Sequence, residues 1–138
     1  MLFQTENKGM LLTICIIILV LCLPAIFYLP SISGDERISV QADAVVINGP
    51  YSRVIPRRQI VLVKTDAKMP KIRWRTNGIS IGNINIGHFK TTEGKEVLLY
   101  LSSKKCPITL LRTKSGEEIY INFRDSARIS IFNNLRCQ

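Results

Sequence analysis

The hydrophobic pattern divides the chain at about residue 30. Residues Met10 to Leu29 carry no charged side chain, and a helix of this length, at ~1.5 Å per residue, reaches ~30 Å, the thickness of a hydrocarbon core. We therefore predict an N-terminal tail over 1–9, a transmembrane helix over 10–29 and a linker over 30–36. The predicted localisation is the cell membrane, crossed once, and the side of the following domain stays open because few charges flank the run.

A cleaved signal peptide is the alternative interpretation of the same run. A short first segment with one lysine, followed by apolar residues, is also how secretory signals begin. The run is longer than the apolar region of a signal, however, and no small-x-small cleavage site lies near its end. A transmembrane helix that is retained in the protein is therefore favoured over a cleaved signal peptide.

After residue 36 the pattern changes to short β-rich runs separated by turn residues. Ile72 and Trp74 alternate with arginines in KIRWRT, and the run EIYINF alternates in the same way, as half-buried strands require. Near the end, Ala127, Ile131 and Leu135 recur at i, i+4 and i+8, which predicts one C-terminal helix. The pattern predicts a single α+β, mainly β domain over 37–138, with about seven strands and one helix.

The stretch RTNGISIGNINIGHFK contains three glycines. Gly78 follows Asn77 in a pair typical of a hairpin turn, and the apolar alternation changes phase at Gly82 and again at Gly87. A phase change at a glycine is typical of a bulge or a sharp bend. Phosphate-binding loops need either G-x-G-x-x-G before a helix or Gly-Lys-Ser/Thr, and neither spacing occurs. We predict turns or bulges at Gly78, Gly82 and Gly87, and no cofactor.

Several segments resemble bacterial pleckstrin-homology-like (PH-like) domains that are attached to membrane segments. The resemblance lies in LPS, a first hairpin ending in VIP, RTNGISIGNINIGHFKTTEGKEVLLYL and PITLLRTKSGEEIYINF, and it covers most of Ile38 to Leu135. It implies a partly open, seven-stranded antiparallel barrel capped by a C-terminal helix, and it implies no chemistry. Eukaryotic relatives often bind phosphoinositides through a basic first loop, but this loop, NGPYSR, offers only Arg53, so that role is not carried over.

The charge of the domain suggests a class of partner. Of the 19 Lys and Arg and the 10 Asp and Glu residues, all but one of each follow residue 30, so the domain itself carries the net charge of +9. Beside a bilayer, anionic headgroups lie within about a Debye length of such a domain. A solvated basic surface is the alternative. The candidate contacts with an anionic surface are Arg53, Arg57, Arg58, Lys71, Arg73 and Arg75.

Other chemistry is sparse in the sequence. His88 is the only histidine, and no carboxylate or cysteine lies beside it in the sequence, so we predict neither a catalytic nor a metal site. Nucleic acid is not favoured as a partner, because no RNA-binding aromatic signature, recognition helix or zinc finger occurs. Cys106 and Cys137, the only cysteines in the domain, could be free or paired.

Together these features predict a non-enzymatic, membrane-anchored interaction module. Its expected partners are the lipid bilayer, through Met10 to Leu29, and beyond that a protein, a second copy of the chain or the anionic membrane surface. The alternative is a membrane enzyme or enzyme subunit whose site forms only in three dimensions. A pocket that holds His88 within hydrogen-bonding distance of an acid or a cysteine would favour the enzyme, and an exposed nonpolar strand edge would favour a protein partner.

Overall fold

A computed structural model describes residues 3–32, 37–103 and 105–122, and within the N-terminal helix it describes the side chains of 8–24. The chain divides into two compact units after Ile32. The first unit contains one helix, α1 (Phe3–Ile32). The described part of the second unit contains nine strands.

The prediction of a transmembrane helix over 10–29, and with it the single-pass location in the cell membrane, is wrong on the described residues. None of the helices in that part of the chain is long and apolar enough to cross a membrane.

Two sheets build the described part of the second unit. A three-stranded antiparallel sheet has the order β1-β2-β3, and a six-stranded sheet has the order β4-β8-β9-β7-β6-β5. A short 3₁₀ turn, Arg57–Gln59, joins β3 to β4. The strands are β1 (Ile38–Val40), β2 (Ala44–Ile47), β3 (Arg53–Pro56), β4 (Ile60–Lys64), β5 (Ile72–Ile81), β6 (Ile84–Thr91), β7 (Glu96–Leu101), β8 (Ile108–Thr113) and β9 (Glu118–Asn122).

The domain is mainly β, as predicted, but the seven-stranded antiparallel barrel is wrong. The described strands form two open sheets and no closed barrel. β7 and β9 are parallel neighbours, with Leu99 opposite Tyr120, because β9 rather than β8 lies beside β7. Strands that follow one another in sequence usually pair as antiparallel hairpins. Here β7 pairs with β9 instead of β8, the next strand in sequence. The predicted C-terminal helix, around Ala127 to Leu135, lies outside the described residues.

Alternate residues of the six-stranded sheet lie on two faces, which we call the Leu99 face and the Tyr100 face. The Leu99 face carries an apolar cluster that includes Phe89, Leu99 and Tyr120. On the Tyr100 face, the Tyr100 hydroxyl donates a hydrogen bond to the carbonyl of Tyr51, in the loop between β2 and β3. Every residue of β7 from 97 to 101 is buried. A strand covered on both faces reads as a continuous apolar run, which explains EVLLYL.

The glycine-rich stretch forms β5 and β6, but the chain does not turn at Asn77-Gly78, so that predicted hairpin is wrong. Both residues lie inside β5, and the chain reverses at Gly82 and Asn83, where Gly82 has a φ of 58°. Gly78 lies opposite Gly87 in the ladder. A Cβ added at Gly87 would lie 2.5 Å from the Asn77 carbonyl oxygen, and its φ of 117° favours glycine.

Candidate interaction surface

Strand β5 forms one end of the six-stranded sheet. Within the described residues it pairs only with β6, so no strand lies along its outer backbone edge. Most of its ten residues are exposed. The strand at the other end of the sheet, β4, has five residues. A long, exposed edge presents unpaired N–H and C=O groups to which another strand can add.

The two halves of β5 differ in regularity. The register with β6 shifts between Ile72 and Trp74 and again between Arg75 and Asn77, and neither shift is at a glycine. Each shift leaves an extra residue on β5, which twists the strand and disfavours further pairing. From Asn77 to Ile81 the register is unbroken. The regular half, 77–81, is therefore the part that can accept another strand.

Trp74 provides an exposed aromatic surface on the irregular half, with 46% of its surface accessible. The Arg73 guanidinium carbon lies 4.7 Å from the centre of the indole, and Lys90 Nζ lies 5.8 Å from it. A cation over an indole face contributes about 0.5–1 kcal/mol at an exposed site. The indole is therefore held in place beside two positive charges.

A cavity of about 610 Å³ lies on the Leu99 face beside β5. The ladder pairs Arg75 with Phe89 and Ser80 with Asn85, and between these two pairs it places Gly78 opposite Gly87. We call this cavity the Arg75 cavity, and the described residues that line it are Met69, Ile72, Arg75, Ser80, Asn85, Phe89 and Leu99.

The Arg75 cavity has both apolar and polar lining residues. Phe89 and Leu99 are buried members of the apolar cluster. The Ser80 hydroxyl donates to Asn85 Oδ1 at 2.7 Å. Arg75 is exposed and has no hydrogen bond or ion pair with any residue that the structure describes. The Arg75 cavity therefore brings one positive charge close to apolar side chains that are already buried.

Acidic residues are absent from the sequence around this edge. From 67 to 92, which includes β5 and β6, there is no Asp or Glu. This feature is visible in the sequence, but its meaning depends on β5 being an edge strand, which the sequence does not show. The basic residues of the stretch are Lys68, Lys71, Arg73, Arg75 and Lys90.

The structure separates the predicted anionic-surface residues into two groups. One group lies on β5 or just before it and consists of Lys71, Arg73 and Arg75. The other lies on β3 of the three-stranded sheet and on the turn leading to β4, and consists of Arg53, Arg57 and Arg58. Arg53 binds both carboxylate oxygens of Glu117, at 2.5 and 2.6 Å. An arginine already paired in this way has little capacity for a second anion.

His88 lies beside an acidic side chain in a cavity, and this arrangement favours an enzyme. Its Nδ1 lies 3.0 Å from Glu96 Oε1, and both residues line a cavity of about 480 Å³. The sequence did not indicate this pair, because Glu96 comes from β7 and reaches His88 across the ladder. A carboxylate bound to one ring nitrogen orients the imidazole for proton transfer at the other. The described residues contain no cluster that could hold a metal ion.

The buried carboxylate of Glu118 connects several polar side chains near the centre of the sheet. Glu118 accepts hydrogen bonds from Arg112, at 2.7 and 3.1 Å, and from the Tyr120 hydroxyl at 3.1 Å, and it lies 2.7 Å from Lys95 Nζ. Burial by itself would raise the pKa of Glu118, but the hydrogen bonds from Lys95, Arg112 and Tyr120 together outweigh it and lower the pKa below the ordinary 4.5. Burial also raises the pKa of Tyr120 to about 12. This network stabilises the fold.

No family model, curated protein or solved structure matches the chain. The relation to PH-like domains stays a prediction, and the barrel that it implies is not the fold of the described residues. Function is therefore inferred from the geometry of β5 and its surroundings.

Proposed function

We propose that this protein is a non-enzymatic interaction module whose edge strand β5 binds an extended, acidic segment of a protein partner. The supporting observation is the regular half of β5, 77–81, which has no strand on its outer side among the described residues. Backbone hydrogen bonds along such an edge supply affinity for any extended chain. The side chains next to the edge then select among chains.

Charge determines which segments are selected. The edge presents Arg73 and Arg75, and no acidic residue occurs between 67 and 92. A segment rich in Asp and Glu meets only opposite charges there, whereas a basic segment is repelled. Since these side chains are exposed, the attraction is screened by salt, and the affinity should fall as ionic strength rises.

Nonpolar contacts lie near both ends of the strand. Trp74 is 46% exposed and Ile81 is 52% exposed. Tryptophan is among the residues that contribute most to binding energy at interfaces. The preferred segment therefore contains apolar residues among its acidic ones.

Fluorescence of Trp74 reports binding directly, because it is the only tryptophan of the chain. The full chain is titrated with a peptide of about ten residues, the length of β5, in which valine alternates with glutamate, and with a matched peptide in which lysine replaces glutamate. We expect a saturable change with the glutamate peptide only. Amide hydrogen exchange should slow at 77–81 in the same complex, because the outer N–H groups become bonded.

Two variants with the same change of charge locate the site. Arg73→Glu adds a negative charge at the β5 edge, and we expect it to weaken binding about tenfold, equivalent to ~1.4 kcal/mol. Lys64→Glu makes the same change on the other end strand, β4, and should leave binding within about twofold. An equal loss in the two variants, or binding without slower exchange at 77–81, would contradict the proposal.

The His88–Glu96 pair favours a second candidate function, general base catalysis. No hydroxyl group of the described residues is hydrogen-bonded to His88, so the activated nucleophile would be water or a group of the substrate. The test compares the full chain with His88→Gln in the hydrolysis of a simple activated ester. A rate that depends on His88 would support catalysis, and equal rates would rule it out.

A further inference from the structure

Charge is distributed unevenly along the edge strand β5. The irregular half carries Arg73 and Arg75, and Lys71 lies just before it. All three side chains are exposed. The sequence from 76 to 87, which includes the regular half 77–81, the turn and the start of β6, contains no charged residue. One end of the strand is therefore basic, and the other end is uncharged.

The uncharged end extends across the neighbouring strands. Ile79 pairs with Ile86, and Ile86 pairs in turn with Tyr100 of β7, which is uncharged from 97 to 101. Six residues at ~3.3 Å place Ile81 roughly 20 Å along the strand from Arg75, about twice the Debye length of ~10 Å. A carboxylate beside Ile81 would gain little from the basic end. An apolar side chain there would instead cover an isoleucine that is 52% exposed.

We infer that the bound segment is bipartite and runs in one direction, with an uncharged, apolar half along 77–81 followed in its sequence by an acidic half along 71–75. The inference rests on the proposed function, because it requires the segment to add as a strand at β5. It specifies two properties that strand addition alone leaves open: the separation of the apolar from the acidic residues, and the order in which they occur.

The order follows from antiparallel pairing. Among the described strands, β7 and β9 form the one parallel pair, and they are buried from 97 to 101 and from 118 to 122. Parallel pairing is slightly less stable than antiparallel pairing and occurs mainly where both faces of the sheet are covered. β5 is mostly exposed. A segment antiparallel to it passes residue 81 before residue 71, so its first half meets the uncharged end and its second half the basic end.

The first test compares two peptides of identical composition, each about ten residues long, the length of β5. In the acid-last peptide, a half that alternates threonine with valine precedes a half that alternates glutamate with threonine. The acid-first peptide joins the same halves in the opposite order, so it must either pair parallel or place its glutamates over 77–81. Binding to the full chain is followed by Trp74 fluorescence. We expect the acid-last peptide to bind about tenfold more tightly.

A nitroxide label, which quenches indole fluorescence at short range, reports the direction without reference to affinity. The label is attached to either the first or the last residue of the acid-last peptide, and these ends lie ~30 Å apart in an extended strand. Trp74 lies in the basic half of β5. At saturation, the label on the last residue should quench Trp74 more strongly. Equal quenching, or stronger quenching by the label on the first residue, would overturn the inferred direction.

Arg75→Gln and Lys64→Gln form the matched pair of variants. Both residues are exposed and lose the same charge, but they lie on the two end strands of the six-stranded sheet. Arg75→Gln should reduce the preference for the acid-last peptide to within about threefold. Lys64→Gln should leave the preference unchanged.

The outcomes separate the inference from the proposed function. If both peptides slow amide exchange at 77–81 but bind the wild type equally, or if Arg75→Gln keeps the full preference, the bipartite segment is overturned and strand addition stands. If neither peptide slows exchange at 77–81, strand addition fails and the inference fails with it.

Discussion

β9 and β5 belong to one sheet but have opposite surroundings. β9 lies between β8 and β7 and is buried at every position, whereas most of β5 is exposed at the end of the sheet. The polar side chains of β9 are bonded, with Glu118 held by Arg112 and Asn122 accepting from the Ser102 amide. Arg75 of β5 has no such partner in the described structure. Stability is therefore concentrated at the centre of the sheet, and unused binding capacity at its edge.

The largest expected difference is in the packing of the two strands. Ile119 of β9 is fully buried, and Ile119→Ala removes apolar contacts and leaves a cavity, which should lower the free energy of unfolding by about 3 kcal/mol. Ile81→Ala at the exposed end of β5 should cost less than about 1 kcal/mol. Urea denaturation followed by circular dichroism measures both values. Similar losses in the two variants would remove the contrast between centre and edge.

The next effect tests the close contact between β5 and β6. Gly87→Ala would place a Cβ 2.5 Å from the Asn77 carbonyl oxygen at a φ of 117°, and we expect a loss of about 2–3 kcal/mol in the free energy of unfolding. The matched variant is Gly82→Ala, whose φ is 58° and whose Cβ would meet open space. It should cost about 1 kcal/mol. Equal losses would mean that the backbone angle alone, and not the close contact, requires glycine at 87.

A smaller effect, with a defined pH dependence, is expected at Glu118. Glu118→Gln removes the charge that binds Lys95 and Arg112 and should cost about 2 kcal/mol at pH 7. The folded-state pKa of Glu118 is lowered, so its contribution is present above the ordinary value of 4.5 and is lost as pH falls below that value and through the folded pKa.

Denaturation at pH 7 and at pH 3 measures this dependence. The wild type and Glu118→Gln should converge towards the lower pH, because protonation removes the same charge in the wild type. Glu93→Gln, an exposed loop change, is the control and should alter stability by less than about 0.5 kcal/mol at either pH. A constant difference between wild type and Glu118→Gln across this range would show that the charge is not what stabilises the network.

The smallest effect on stability is expected at Trp74. Its indole is exposed, so Trp74→Ala should change the free energy of unfolding by less than about 1 kcal/mol. The same change should weaken binding of the glutamate peptide about tenfold, equivalent to ~1.4 kcal/mol. Calorimetry measures this binding, since the variant has no tryptophan to report it. A loss of stability larger than the loss of binding would place Trp74 with the core and not with the binding edge.

Local pattern predicted where strands form but not how they are ordered. The runs IRWRT and EIYIN lie in β5 and β9, because alternation and β-branched residues act within a few positions. The parallel pairing of β7 with β9 joins strands about twenty residues apart. It depends on which apolar faces pack together, which no short segment specifies.

The turn between β5 and β6 is a second feature that the local sequence pattern did not predict correctly. Asn77-Gly78 has the composition of a hairpin turn, yet the chain reverses five residues later. The later turn allows Ile79 to pair with Ile86 and Ile81 with Ile84. Cross-strand apolar pairs of this kind outweigh the local preference of one dipeptide.

The sequence alone determined the β-rich composition, the net charge of +9 and the absence of acidic residues from 67 to 92. Only the tertiary structure decided that β5 is an edge strand, that Gly78 lies opposite Gly87, and that His88 meets Glu96. Residue charge and strand preference belong to single residues or short segments. Edges, cavities and side-chain pairs arise from packing between segments far apart in the chain, so they exist only once those segments have been brought together.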